Sequence, residues 1–230
     1  MGAVANQQAT EAAISEFFDR QYSTHRRYWW RGDNRYSFDP ADHTVYNAAI
    51  LKFATGTTGR ALDLGAGEGA DAIRLAKLGW QVDAVELSPI GCEKIEDFAR
   101  REHVEVLVRN ESMTTAVLAE ASFDLVLMNG SLHYVEDKAS MLAKARLVST
   151  TGAVHAVSLF STATPMPHEH TVVPVFPDDE DGIVEDFYRD GSRLLRVFDR
   201  NRPERSHPGF GLHHHSHIKL ITELNSADQL

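Results

Sequence analysis

Two carboxylates bracket a glycine-rich turn in the stretch RALDLGAGEGADAIRLAKLGWQVDAVELSP, residues 60–89: Asp63 stands before it and Glu86 after it. The glycines at 65, 67 and 69 remove side chains where a ligand would approach the backbone and the first amides of a following helix. With Ala70 the run satisfies the dinucleotide spacing G-x-G-x-x-G/A, and Glu86 falls about 20 residues on, where an acid would hold a ribose hydroxyl. Those features leave two classes open, NAD(P) and another ribose-bearing ligand. Asp63 separates them, because a carboxylate entering the turn repels a pyrophosphate and attracts a cation. The turn also carries no phosphate-binding lysine.

The elements that must hold these groups read as alternating strands and helices. ALDLG (61–65) is a short apolar strand, and ADAIRLAKLG places Ile73, Leu75, Ala76 and Leu78 at helical spacing with Gly79 as a stop. QVDAVELS (81–88) is the next strand, PIGCEKIEDFARRE (89–102) a helix with Pro89 in its first turn, and VEVLVRN (104–110) a strand. SFDLVLMNG (122–130) is nearly continuous apolar strand, as where helices cover both faces of a sheet, followed by the helix DKASMLAKARLVS and the strand GAVHAVSLF. After a Pro-, His- and Asp-rich connection come a short helix, IVEDFYRD, and two strands, RLLRVFDR and HSHIKLIT, expected to pair antiparallel at the sheet edge. The fold class is α/β with a mostly parallel sheet.

Whole-chain properties narrow the function. A chain of 230 residues is expected to form a single domain. Its 33 acidic residues against 23 Lys and Arg oppose the counterion release that drives nucleic-acid binding, so no nucleic-acid partner is expected. The one cysteine, Cys92, reads as an inert thiol on a helix. No run approaches the roughly 18 apolar residues of a membrane span, and the opening lacks a basic start with an apolar core. No membrane partner and a cytoplasmic location are expected.

The stretch LDLGAGEGADAIRLAKLGWQVDAVELSP resembles the first two motifs of the class I methyltransferases that use S-adenosylmethionine. The likeness extends through VRNESM and FDLVLMNGSLHYVED, over about residues 55–160. It implies a Rossmann-like doubly wound sheet of about seven strands, mostly parallel with an antiparallel strand near the C-terminal edge. It further implies that Asp63 lies near the methionine ammonium, that Gly65, Ala66 and Gly67 contact the methionine and ribose, and that Glu86, followed by Leu87, holds the ribose hydroxyls. Asn110, Glu111, Ser112 and Met113 would border the adenine, although the family commonly has Asp near Asn110, and Asn129 and Gly130 end the fourth strand beside the ligand. The implied activity is methyl transfer from S-adenosylmethionine to a small-molecule acceptor. The alternatives are an NAD(P)-dependent oxidoreductase and a non-catalytic S-adenosylmethionine-binding partner subunit.

On that reading residues 1–54 form a helical and aromatic cap, 55–160 the cofactor-binding core, 161–192 a substrate lid, and 193–230 the terminal strand pair and tail. Tyr22, Tyr28, Trp29 and Trp30 are candidates to stack on the ligand or hold an acceptor, and His168 and His170 fall in the lid. His133, just past the fourth strand, is the candidate base, with an ordinary imidazole pKa. His213, His215 and His217 share one strand face, but without a clear fourth ligand they read as an exposed edge strand; His168, Glu169 and His170 could complete a site across the fold, but that segment reads better as the lid, and no metal is expected.

Overall fold

The structure, a computed structural model, describes residues 2–28, 45–167, 170, 172–204 and 211–225. Seven strands form one sheet: β1 (Arg60–Leu64), β2 (Gln81–Glu86), β3 (Leu107–Asn110), β4 (Phe123–Asn129), β5 (Ser149–Phe160), β6 (Ser192–Glu204) and β7 (His213–Glu223). Their order is β3-β2-β1-β4-β5-β7-β6. The first five run parallel, and β7 is antiparallel to both β5 and β6. The helices are α1 (Gly2–Thr24), α2 (Val45–Gly56), α3 (Ala70–Lys77), α4 (Pro89–Arg101), α5 (Lys138–Val148) and α6 (Ile183–Phe187).

The near-continuous apolar strands follow from helices on both faces. Along β4, Val126 and Met128 face one core with Met141 and Leu142 of α5 and Val184 of α6. Leu125 and Leu127 face the other, with Ile50 of α2 and Leu75 of α3. Alternation therefore buries Leu125, Val126, Leu127 and Met128 in succession, at roughly 1.5–3 kcal/mol for each fully buried large aliphatic side chain. Local signals set the helix starts: Ser88 Oγ accepts from Gly91 N at 2.9 Å with Pro89 in the first turn of α4, and an Asp137 oxygen accepts from Ser140 N at 3.0 Å ahead of α5.

Three expectations change. The third strand begins at Leu107 rather than residue 104, because Val104 N first closes on Ala99 O at 3.0 Å and pairing with β2 starts at Asp83↔Leu107. The last two strands are longer than read. Strand β7 is interior and β6 takes the edge, so the histidine ladder does not lie on an edge strand. Cys92 is buried, and burial first of all raises its thiol to about 12, which keeps it inert. Among the described residues no helix is long and apolar enough to cross a membrane. Trp29, Trp30 and His168 lie outside the described residues.

Candidate functional site

At the carboxyl end of β1 the chain turns sharply, with Gly65 N and Ala66 N both donating to Val85 O at 2.9 and 3.1 Å. Gly65 has φ +76, and a Cβ there would stand 2.4 Å from that of Ser131, so backbone conformation and space both require glycine. Glu86 closes β2 against this turn. Its Oε2 accepts from Gly67 N at 2.7 Å and its Oε1 from Ser88 N at 2.8 Å. These amides fix the carboxylate and leave it further acceptor capacity.

Two more acids share the site. Asp63, in β1, is buried, and its Oδ2 has no hydrogen-bond partner among the described residues. Asp71, in the first turn of α3, is also buried and accepts from Asn129 Nδ2 at 2.7 Å. Burial, then the charges of Asp71 and Glu86, push the Asp63 carboxyl well above its usual range, against the Ala72 amide that lowers it. Burial likewise raises Glu86 to about 7, although the Ser88, Gly67 and Leu87 amides oppose it. Clustered buried carboxylates of this kind favour a cationic or hydroxyl-bearing ligand and disfavour an anion.

A pH dependence follows. Glu86 holds its proton more tightly in the fold (about 7) than its ordinary 4.5, so the ligand-free protein loses stability as pH rises from 4.5 to 7, by about 3 kcal/mol from this group. A ligand that donates hydroxyls to the carboxylate stabilises the ionised form, so its affinity should rise with pH through about 7. Calorimetry at pH 6 in two buffers of different ionisation enthalpy is expected to show about one proton or more released per ligand bound. Binding at pH 6 without proton release would contradict this.

These groups line one cavity of about 550 Å³, within the roughly 300–1,000 Å³ common for small-molecule sites. Of the residues singled out from sequence, Asp63, Gly65, Ala66, Gly67, Glu86, Leu87, Ser112, Met113, Asn129, Gly130, His133, Tyr22 and His170 line it. Asn110 does not: its Nδ2 donates to Glu86 O at 3.1 Å and Leu87 O at 3.0 Å, bracing the strand end instead of facing the cavity. Glu111 lies outside the lining and faces Arg109 at 4.0 Å. Tyr28 is also outside, buried with its amide donating to Glu68 Oε2 at 2.8 Å. Asp71, Phe18, Tyr46 and Ser131 line the cavity without having been singled out. Asp71 had a signal, an acid in the first turn of the helix that the glycine turn opens. Nothing local marked Tyr46, since only the packing of α2 brings it there.

The cover comes from two segments. Helix α1 is tied across the β2 end by Ser15 Oγ to Leu87 O at 3.3 Å, Ile90 N to Asp19 Oδ1 at 3.2 Å, and Ser112 Oγ to Glu11 Oε1 at 2.7 Å. Its Ile14, Phe18 and Tyr22 form one apolar cluster with Tyr28 and with Val173 of the connection after β5. That connection is anchored where Phe176 N donates to His133 O at 2.7 Å and Asp178 N to Phe160 O at 3.1 Å.

Beyond Gly130 the cavity changes character. His133 is buried with ring centroids 4.4 Å from Tyr134 and 4.1 Å from Phe160, and His170, His217, Arg202 and Lys219 line the same end. Its imidazole is not ordinary, as the sequence reading had it: burial first, then the neighbouring His217, His215, Lys138 and His170, hold it well below 6.5. It is therefore neutral at pH 7, and its Nδ1 has no hydrogen-bond partner among the described residues.

Residues 61–152 match the family model described as a methyltransferase domain. Over 101 residues the chain is 32% identical to an uncharacterised methyltransferase of Mycobacterium bovis, covering 44% of this chain and 50% of the relative. The chain thus spans about half the length of the curated relatives it matches. The fold is similar to that of the Burkholderia thailandensis 1,6-didemethyltoxoflavin-N1-methyltransferase, solved with 1,6-didemethyltoxoflavin and S-adenosylhomocysteine (TM-score 0.63, 21% identity, 94% of this chain and 88% of that one). It is also similar to that of the magnesium protoporphyrin IX methyltransferase of Synechocystis, solved with S-adenosylmethionine (TM-score 0.65, 15% identity, 94% and 97%). At these identities the two structures speak for a shared fold.

Proposed function

We propose that this chain, whose residues 61–152 match the methyltransferase-domain model, binds S-adenosylmethionine and transfers its methyl group to a small-molecule acceptor. The observation that carries the reading is the group of three buried carboxylates, Asp63, Asp71 and Glu86, around one cavity, with an Asp63 oxygen lacking a hydrogen-bond partner among the described residues. An ammonium answers Asp63 and Asp71, and a ribose diol answers the two oxygens that Gly67 and Ser88 hold in place on Glu86. The residues present fit the cofactor.

When bound, the cofactor supplies a methyl group already activated by positively charged sulfur. The protein's part is alignment and exclusion of water. Phe18 and Tyr22 of α1 cover the cofactor end, while His133, Phe160, His170 and His217 shape the chamber for the acceptor. The S-adenosylhomocysteine and S-adenosylmethionine bound in the two structural neighbours support the cofactor class of this reading. Phe18→Ala is expected to weaken cofactor binding about tenfold with an unchanged far-ultraviolet circular dichroism spectrum. Unaltered binding would confine α1 to a packing role.

The NAD(P) reading meets buried acids where its pyrophosphate would lie. Tyr134 and Lys138 have Tyr-x-x-x-Lys spacing, but Lys138 Nζ donates to Val135 O at 3.2 Å and Tyr134 stands in a separate 3₁₀ turn. A partner-subunit role is opposed by a cavity that continues past Gly130 to Phe160 and Lys219, beyond what the cofactor-facing residues occupy. Incubation with methyl-labelled S-adenosylmethionine and fractionated metabolite pools tests the activity. Label should move to a low-mass compound; binding of the cofactor with no transfer to any fraction would favour the subunit role.

A further inference from the structure

The fold brings three imidazoles together from two distant parts of the chain. His213 and His215 lie on one face of β7, two residues apart, and His170 comes from the connection between β5 and α6. Their ring centroids form a nearly regular triangle: 4.8 Å for His170 and His213, 4.6 Å for His170 and His215, and 4.7 Å for His213 and His215. One nitrogen from each lies within 4.8 Å of the other two.

We propose that His170, His213 and His215 bind a divalent transition-metal ion of the zinc class, which fastens the connection after β5 onto β7 at the acceptor end of the cavity.

The chemistry of the donors supports this. Imidazole suits zinc, copper, iron and nickel, and three of them with one remaining position is a known form of zinc site. His213 is oriented for it: its Nδ1 lies 2.7 Å from Gly211 O, and since a carbonyl only accepts, Nδ1 carries the proton and Nε2 carries the lone pair. Such a backbone contact is the usual way a ligating imidazole is held in one tautomer. His215 is 1% exposed and fixed in an interior strand between β5 and β6, with Phe160 at 4.4 Å behind it. Distances are also compatible. The centre of a triangle with 4.8 Å sides is at most about 2.8 Å from each corner, against about 2.0–2.1 Å for a zinc–nitrogen bond, so each nitrogen closes by about 0.7 Å. Side-chain rotation supplies a movement of that size.

From sequence, the segment with His168, Glu169 and His170 can complete a site with this ladder, but it reads more readily as a substrate-covering loop. His170 is the residue that the path of the connection brings there. It also lines the cavity, which sets the ion in the wall of the acceptor chamber. The alternative is aromatic packing of the histidines around Phe160, and the two make opposite predictions. This inference does not rest on methyl transfer and is tested without it.

The full-length chain without a histidine tag, stripped with a chelator, is titrated with Co²⁺ and then Zn²⁺. One Co²⁺ per chain should bind with the visible absorption of a four-coordinate site, be displaced by Zn²⁺, and raise the melting temperature. His170→Ala and His213→Ala should each weaken Co²⁺ binding by at least about tenfold. His214→Ala should leave it within about twofold, since His214 is exposed and points to the other face of β7. His170 lies outside the sheet, so its variant separates ligation from folding even if substitution on β7 disturbs the strand. No stoichiometric binding, binding that survives both ligand variants, or an equal loss in His214→Ala would overturn the proposal.

Discussion

Glu86→Ala is expected to weaken S-adenosylmethionine binding by about 2–4 kcal/mol, roughly 30- to 1,000-fold, in a protein that remains folded. The size follows from what the carboxylate does in the site. Gly67 N and Ser88 N hold its two oxygens in a fixed plane, so the acceptors for a vicinal diol are in place before the ligand arrives. Removing the side chain forfeits both charge-assisted bonds and leaves two inward-facing amides without that acceptor. Glu86→Gln should be nearly as damaging although its shape is conserved. Its NH₂ must face one of the two backbone N–H groups, a donor against a donor. Titration calorimetry on both variants, with melting curves to establish folding, provides the measurement; a loss below about threefold in both would remove Glu86 from the cofactor site.

His133→Asn is expected to lower turnover by about 100-fold while cofactor affinity changes less than threefold. His133 lines the cavity past the carboxyl end of β4, on the acceptor side of Asn129 and Gly130. Burial holds its imidazole neutral at pH 7, so it can accept a hydrogen bond from an acceptor's N–H or O–H and orient the heteroatom lone pair toward the methyl group. A neutral base of depressed pKa draws the proton only as the acceptor acquires positive charge in the transition state. The effect therefore belongs in turnover and not in cofactor binding. Near-normal turnover in the variant would mean that the protein acts by alignment alone.

The parts of this site that could be read from sequence are those in which a local pattern has one structural solution. A strand, a glycine turn and a helix start between residues 60 and 77 can bury their apolar faces in only one way, and Gly65 meets Ser131 so closely that no other residue fits. Asp63 and Glu86 followed, because each ends or nearly ends a buried strand whose carboxyl end opens on the cavity. Asn110 shows the limit of analogy. It occupies the expected place at the end of β3, yet its amide finds two carbonyls at the end of β2 and turns away from the cavity. Strand order was not legible either. Nothing in HSHIKLIT distinguishes an edge strand from one slipped between β5 and β6, since that depends on which neighbour each strand finds across the sheet. The depressed pKa of His133 and the meeting of His170 with His213 and His215 arise in the same way, from residues far apart in sequence.

If the three buried carboxylates Asp63, Asp71 and Glu86 select a cationic, diol-bearing cofactor, the choice shows when the purified 230-residue chain is titrated at pH 8 with S-adenosylmethionine, S-adenosylhomocysteine and NADH in parallel. The two adenosyl amino acids are expected to bind stoichiometrically, more weakly in Asp63→Asn, and NADH to give no measurable heat. Tight binding of NADH with no response to either adenosyl amino acid would contradict that selection.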